Sequence, residues 1–125
     1  FVGSCAFIPA HVSGDTVAVA GRTFRRPLRG GFTGDAVLGL RPEMLRLLPS
    51  AASAAPGDVA LPGTVEGETF LGAFASVRVR LSSGNVVSAL AAGEPGTYAA
   101  GAAVGVAFKP EAAFLFDARS GEAIR

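Results

Sequence analysis

Few residues of this sequence could take part in chemistry, and their types limit what that chemistry could be. The chain has one histidine, His11, and one cysteine, Cys5. A zinc site usually needs at least three protein ligands, so this pair alone cannot hold the metal. A serine nucleophile would be expected in a Gly-x-Ser-x-Gly turn, which the sequence lacks. We therefore expect His11 to lie at a strand edge and Cys5 to act as a small hydrophobic residue.

Phosphoryl transfer also lacks its residues in this chain. ATP-binding loops place a lysine directly after a glycine-rich turn, where it contacts the phosphates. The only lysine, Lys109, is instead followed by Pro110 in an apolar, strand-like context. We predict that this chain is not an enzyme and has no catalytic residues, metal site or cofactor of its own.

Two kinds of charged segment remain as candidate contact surfaces. Residues 22–29 hold four basic side chains, and we interpret them either as a solvated loop or as a docking patch centred on Arg25 and Arg26. The runs Arg41-Pro42-Glu43 and Lys109-Pro110-Glu111 interrupt apolar stretches. Each proline can end a strand, and each glutamate can cap a short turn. The alternative is that the charged residues of both runs form an inter-domain or inter-subunit contact.

The elements that position these residues are predicted to be short strands. Residues 16–20 follow a Ser-Gly-Asp turn and alternate in polarity. Residues 73–91 predict a hairpin, because an alternating run to Leu81 is followed by Ser-Ser-Gly-Asn and a second apolar run. Only single helical turns are expected, at 43–48 and 110–113. The spacing favours an all-β fold of the small barrel type.

The composition narrows the partners. Half of the 125 residues are apolar, 17% are charged and the net charge is +1, so neither nucleic acid nor an anionic membrane is favoured on electrostatic grounds. No apolar run approaches the roughly 20 residues that span a bilayer. A single cysteine excludes an internal disulfide and fits a reducing compartment.

The sequence contains two similar parts. Residues 37–47 read VLGLRPEMLRL and residues 104–116 read VGVAFKPEAAFLF. Two further pairs repeat at nearly the same offset: Phe1-Val2-Gly3 with Phe70-Leu71-Gly72, and Gly14-Asp15 with Gly84-Asn85. We predict a first β-unit over residues 1–48, an exposed connector over 49–58 and a second, related β-unit over 59–125.

These motifs resemble a known family, the TOBE domain (transport-associated, of the oligonucleotide-binding fold). The most specific match is Leu38-Gly39-Leu40-Arg41-Pro42-Glu43, followed by Met44-Leu45. The close of the family pattern is matched by residues 110–117, PEAAFLFD, and its start by Phe1-Val2-Gly3-Ser4. The resemblance covers the whole chain, and it departs from the family pattern at residues 5–8.

The resemblance implies oligonucleotide-binding-type barrel units formed from two tandem halves. It also implies the C-terminal regulatory and dimerisation domain of the ATP-binding subunit of an ABC-type importer. ATP and Mg²⁺ would then bind the parent's nucleotide-binding domain. The implied partners are that domain, a second copy of the subunit and, indirectly, the membrane permease, in the cytoplasm at the inner membrane face. A start at Phe1 without a methionine is expected of a piece of a longer polypeptide.

Two other functions are weighed beside this one. The alternative is a free-standing tandem module that binds a small anion, like the molybdate-binding proteins built from tandem units of this type. Binding of single-stranded nucleic acid is disfavoured, because such barrels combine a basic groove with stacking aromatic residues. Here most of the nine phenylalanines lie within apolar runs, and tryptophan is absent.

Overall fold

Nearly all regular structure in this protein is β-strand. The computed structural model describes residues 5–50, 52, 54–92 and 98–125. The strands are β1 (Ala6–Gly14), β2 (Thr16–Val19), β3 (Arg22–Arg25), β4 (Phe32–Leu40), β5 (Arg46–Leu48), β6 (Val59–Phe70), β7 (Phe74–Leu81), β8 (Val86–Ala92), β9 (Ala103–Phe108) and β10 (Phe114–Asp117). Two short 3-10 turns cover Pro42–Met44 and Pro110–Ala112. The all-β prediction is confirmed.

The strands form two five-stranded antiparallel sheets with the same internal order. One sheet has the order β10-β4-β1-β2-β3, and the other has β5-β9-β6-β7-β8. Strand by strand, β1 to β4 of the first half therefore correspond to β6 to β9 of the second half. The prediction of two tandem, related barrel units is confirmed by this correspondence.

The two halves exchange their last strands. β5 follows the first Pro-Glu turn and pairs with β9 of the second half. β10 follows the second Pro-Glu turn and pairs with β4 of the first half, from Phe114 opposite Gly39 to Asp117 opposite Ala36. Each sheet is thus completed by the other half of the chain. The division into residues 1–48, 49–58 and 59–125 describes chain order and stays a prediction.

One predicted repeat landmark is wrong. Gly14-Asp15 joins β1 to β2, whereas Gly84-Asn85 joins β7 to β8 and so belongs to the next hairpin. The two turns are not equivalent, because the strands of the second half are longer: β6 has 12 residues and β1 has 9. The two Pro-Glu turns do correspond. The landmark at Phe1-Val2-Gly3 lies outside the described residues.

The hydrophobic core follows the predicted alternation. In β7 the side chains of Val77, Val79 and Leu81 are buried, while the intervening Arg78 and Arg80 are exposed. The hairpin predicted over 73–91 is present as β7 and β8. The core is continuous between the halves, since the rings of Phe24 and Phe108 meet edge to face with centroids 5.8 Å apart.

Both Pro-Glu runs form single 3-10 turns, Pro42–Met44 and Pro110–Ala112. The helical turn expected over residues 43–48 is wrong beyond Met44, because Arg46–Leu48 is strand β5 and pairs with β9. Proline fits the first position of a helical turn, where its missing N–H has no partner to lose. The amide of Leu45 donates to the carbonyl of Pro42 at 3.2 Å, and that of Ala113 donates to the carbonyl of Pro110 at 3.4 Å. The expected glutamate cap is absent from the first turn: within the described part of the chain, the exposed Glu43 carboxylate accepts no hydrogen bond.

Replacing Glu43 should therefore leave the fold nearly unchanged. We expect Glu43→Ala to alter the free energy of unfolding by less than about 0.5 kcal/mol, as for other exposed side chains without partners. Urea denaturation of both proteins measures this difference. A loss of about 1 kcal/mol or more would restore the capping role that the geometry removes.

Candidate functional site

A charged cleft lies where the loop after β3 meets the second Pro-Glu turn and β10. Its volume is about 460 Å³. Three arginines, Arg26, Arg29 and Arg125, and one glutamate, Glu111, line it together with residues 112–116 and 123–124. We call this feature the arginine cleft. The side chains of its lining residues carry three positive charges and one negative charge, which suits a small anion.

Arg26 is the fixed member of the arginine cleft. Its Nη1 atom donates to the carbonyl oxygen of Pro110 at 3.1 Å and also to that of Ala113. Partial burial lowers the pKa of Arg26, and the charge of Glu111 opposes this effect. The guanidinium keeps its charge at neutral pH, because arginine ionises far above it. It has five N–H donors, so donors other than those of Nη1 remain for a ligand.

Arg29 and Arg125 are brought to the cleft by backbone hydrogen bonds. The amide of Arg29 donates to the carbonyl of Arg125 at 2.9 Å, and the amide of Ile124 donates to that of Leu115 at 2.8 Å. These bonds hold residues 124–125 beside β10. Both arginine side chains are exposed, and within the described ranges neither guanidinium has an ion-pair partner. Their donors are thus available.

The two halves differ at this place. The loop after β3 reads RPLRG over residues 26–30, whereas the segment after β8 reads GEPGT over 93–97 and has no basic residue. Residues 93–97 lie outside the described part of the chain. Arg26 joins its loop to the second half through two backbone carbonyls, whereas within the described ranges the Arg29 guanidinium has no ion-pair partner.

The structure brings two of the predicted contact residues together, Arg26 and Glu111, in the arginine cleft. Arg25 instead forms an exposed ion pair with Asp15 at 2.9 Å. The guanidinium of Arg41 lies 5.2 Å from the centroid of the Phe114 ring, in a cation–π contact.

Lys109 contacts a buried carboxylate. Its Nζ atom lies 3.6 Å from Asp58, whose side chain is only 5% exposed and also pairs with Arg46. Asp58 therefore ties β5 to the second Pro-Glu turn. Whether any of the predicted residues meets another domain or subunit stays a prediction.

Two cleft residues escaped prediction as site residues. Arg29 belongs to the basic segment but was not singled out, although its spacing from Arg26 was visible. Arg125 gave no signal, because it reaches the cleft only through the pairing of residues 123–124 with β10.

The other candidate residues, His11 and Cys5, do not line the arginine cleft. The strand-edge position expected for His11 is wrong, because it lies within β1 and is paired with both β2 and β4. Its side chain is exposed, with Nδ1 3.2 Å from a carboxylate oxygen of Asp35. Burial raises the pKa of the Cys5 thiol, and Arg41 opposes this shift. Across residues 5–50, 52, 54–92 and 98–125, no group of three metal-ligating side chains comes together. Within the same ranges, no helix has the length and apolarity to cross a bilayer.

Comparison with known protein families shows the family to which this chain is related. The family model described as "TOBE domain" matches residues 38–116, which is more than half of the chain. The chain belongs to the TOBE domain family. The matched region of this TOBE domain begins in β4, contains both Pro-Glu turns and ends in β10, so it covers the exchanged strands.

A solved structure shares the fold of this TOBE domain. It is ModG, described as a cytoplasmic molybdate-binding protein, in a crystal form with molybdate bound. The TM-score is 0.70, and the similarity covers 87% of this chain and 93% of that chain at 15% sequence identity. At this identity the likeness shows the fold alone. Comparison with proteins of curated function gave no match.

Proposed function

We propose that this TOBE domain is a binding module for a small oxyanion and that the arginine cleft is its binding site. The observation that carries the proposal is that three arginines line one cleft, two of them without an ion-pair partner in the described ranges. Guanidinium groups bind oxyanions through paired, charge-assisted hydrogen bonds. A cytoplasmic location, as stated for ModG, is part of the proposal.

The likeness to ModG supports the class of ligand. ModG has the same fold and is described as binding molybdate, a tetrahedral oxyanion. The volume of about 460 Å³ exceeds that of one such ion, so part of the hydration shell would stay with the ligand. Recognition in the cleft would therefore combine direct contacts from arginine with contacts through water.

Titration calorimetry at low ionic strength tests this proposal. We expect molybdate, sulfate or phosphate to bind, and Arg29→Gln to weaken binding about tenfold, since hydrogen bonds to charged groups contribute about 1.5–3 kcal/mol. Arg22→Gln is the matched control, because Arg22 is an exposed arginine on β3 that does not line the cleft. Equal losses in both variants would indicate that only the net charge attracts the anion, which contradicts a site in the cleft.

The second candidate is the regulatory domain of an importer ATPase, with ATP and Mg²⁺ bound by the parent's nucleotide-binding domain. An exposed face favours it: Phe7 is 59% exposed, Phe114 is 39% exposed, and the exposed Arg41 lies over the Phe114 ring, two residues before the exposed Glu43. Apolar residues edged by opposite charges suit a two-fold contact between copies. The nucleotide-binding domain and the permease would be further partners.

Self-association tests this second candidate. We expect the wild type to form a dimer at high concentration, and Phe7→Ser to shift the equilibrium towards monomer by about tenfold in the dissociation constant. Sedimentation velocity over a wide concentration range measures it. A protein that stays monomeric at its highest soluble concentration would contradict a dimerisation role for this domain.

A further inference from the structure

We propose that the oxyanion bound in the arginine cleft is one that keeps a proton near neutral pH, inorganic phosphate being the simplest, rather than a fully deprotonated ion such as molybdate or sulfate. This inference rests on the proposed function and narrows its ligand. The residue that carries it is Glu111, which lines the same cleft as the three arginines.

Glu111 is an acceptor that the protein itself leaves unused. It lies in the second Pro-Glu turn and is exposed. In the described ranges it accepts no hydrogen bond and forms no ion pair, although its charge acts on Arg26. The Nη1 atom of Arg26 donates to two backbone carbonyls instead of to Glu111. An unused carboxylate therefore shares the ligand space with unused guanidinium donors.

The chemistry of a carboxylate then selects among oxyanions. An ionised glutamate only accepts hydrogen bonds, so a ligand oxygen in direct contact with it, without a water between them, must carry a proton or be repelled. Phosphate keeps at least one proton near neutral pH, whereas sulfate and molybdate have none to donate. A phosphate ion can donate its O–H to Glu111 while its other oxygens accept from the arginines.

Glutamate also occurs at the equivalent position of the first turn, Glu43. A glutamate in a Pro-Glu turn is therefore not sufficient to select a protonated oxyanion. Glu43 has no part in lining the arginine cleft. The difference between the two turns is the set of arginines around Glu111. Glu43 is for this reason the matched control in the experiment that follows.

The test compares phosphate, sulfate and molybdate by titration calorimetry at one near-neutral pH and constant ionic strength. We expect phosphate to bind about tenfold more tightly than either other ion, since a site that hydrogen-bonds a ligand hydroxyl disfavours analogues lacking it. Glu111→Gln should bring the ratio of affinities close to one, because its amide can donate to an unprotonated oxygen. Glu43→Gln should keep the wild-type ratio. Circular dichroism checks that each variant is folded.

The outcomes separate this inference from the proposed function. If sulfate or molybdate binds as tightly as phosphate, and Arg29→Gln weakens that binding, the oxyanion site stands and the selection by Glu111 is overturned. A preference for phosphate that survives unchanged in Glu111→Gln also overturns it. If none of the three ions binds, both proposals fail together.

Discussion

Phe108→Ala is expected to destabilise the protein by about 3–5 kcal/mol, the largest effect that we predict for a single substitution. Phe108 is fully buried at the end of β9, and its ring meets Phe24 of the other sheet edge to face. The substitution removes apolar burial and leaves a cavity at the junction of the two halves. Loss of the aromatic pair adds to the cost.

Thermal and urea unfolding measure this prediction. We expect the thermal midpoint to fall by about 10 °C or more. Phe74→Ala is the matched control, because Phe74 is 51% exposed and the same atoms are removed. Equal shifts in the two variants would contradict a single core shared by both halves.

Gly63→Ala is expected to cost about 1–3 kcal/mol by steric overlap. Gly63 lies in β6, opposite Leu81 of β7 and Val104 of β9. A Cβ atom there would lie 2.5 Å from Cγ1 of Val79 and 2.9 Å from the carbonyl oxygen of Arg80. The backbone oxygen cannot move aside without disturbing the β6–β7 pairing, so the strands must shift.

Gly30→Ala provides the control for this glycine. A Cβ atom at Gly30 meets nothing within 4 Å, and its backbone is not in the left-handed region. We expect its stability to be unchanged or slightly increased, because alanine restricts the unfolded chain. Urea denaturation compares the two variants with the wild type. If the midpoint of Gly63→Ala also coincides with that of the wild type, β6 tolerates a side chain at position 63, which would contradict this packing.

Much of the fold was predictable from local pattern. The alternation in β7 placed Val77 and Val79 in the core and Arg78 outside, since side chains point to opposite faces in turn. Proline in each Pro-Glu run predicted a short turn. These signals depend only on residues near one another in the chain, so they can be recognised without knowing which distant segments meet in the fold.

Features that depend on distant residues were not predictable. No local sequence pattern predicts that β5 pairs with β9 or that β10 pairs with β4. These pairings depend on the direction in which the chain leaves each Pro-Glu turn. The equivalence of Gly14-Asp15 and Gly84-Asn85 failed because the longer strands of the second half change the spacing between turns. The approach of Arg125 to Arg29 likewise required the folded position of β10.

The central claim is that a small oxyanion binds in the arginine cleft. The most direct measurement is anomalous diffraction from crystals of this domain soaked separately in arsenate, which keeps a proton as phosphate does, and in molybdate. We predict an arsenic peak among Arg26, Arg29 and Arg125, beside Glu111. Anomalous peaks that lie only outside this cleft, or no bound ion from either soak, would contradict the claim.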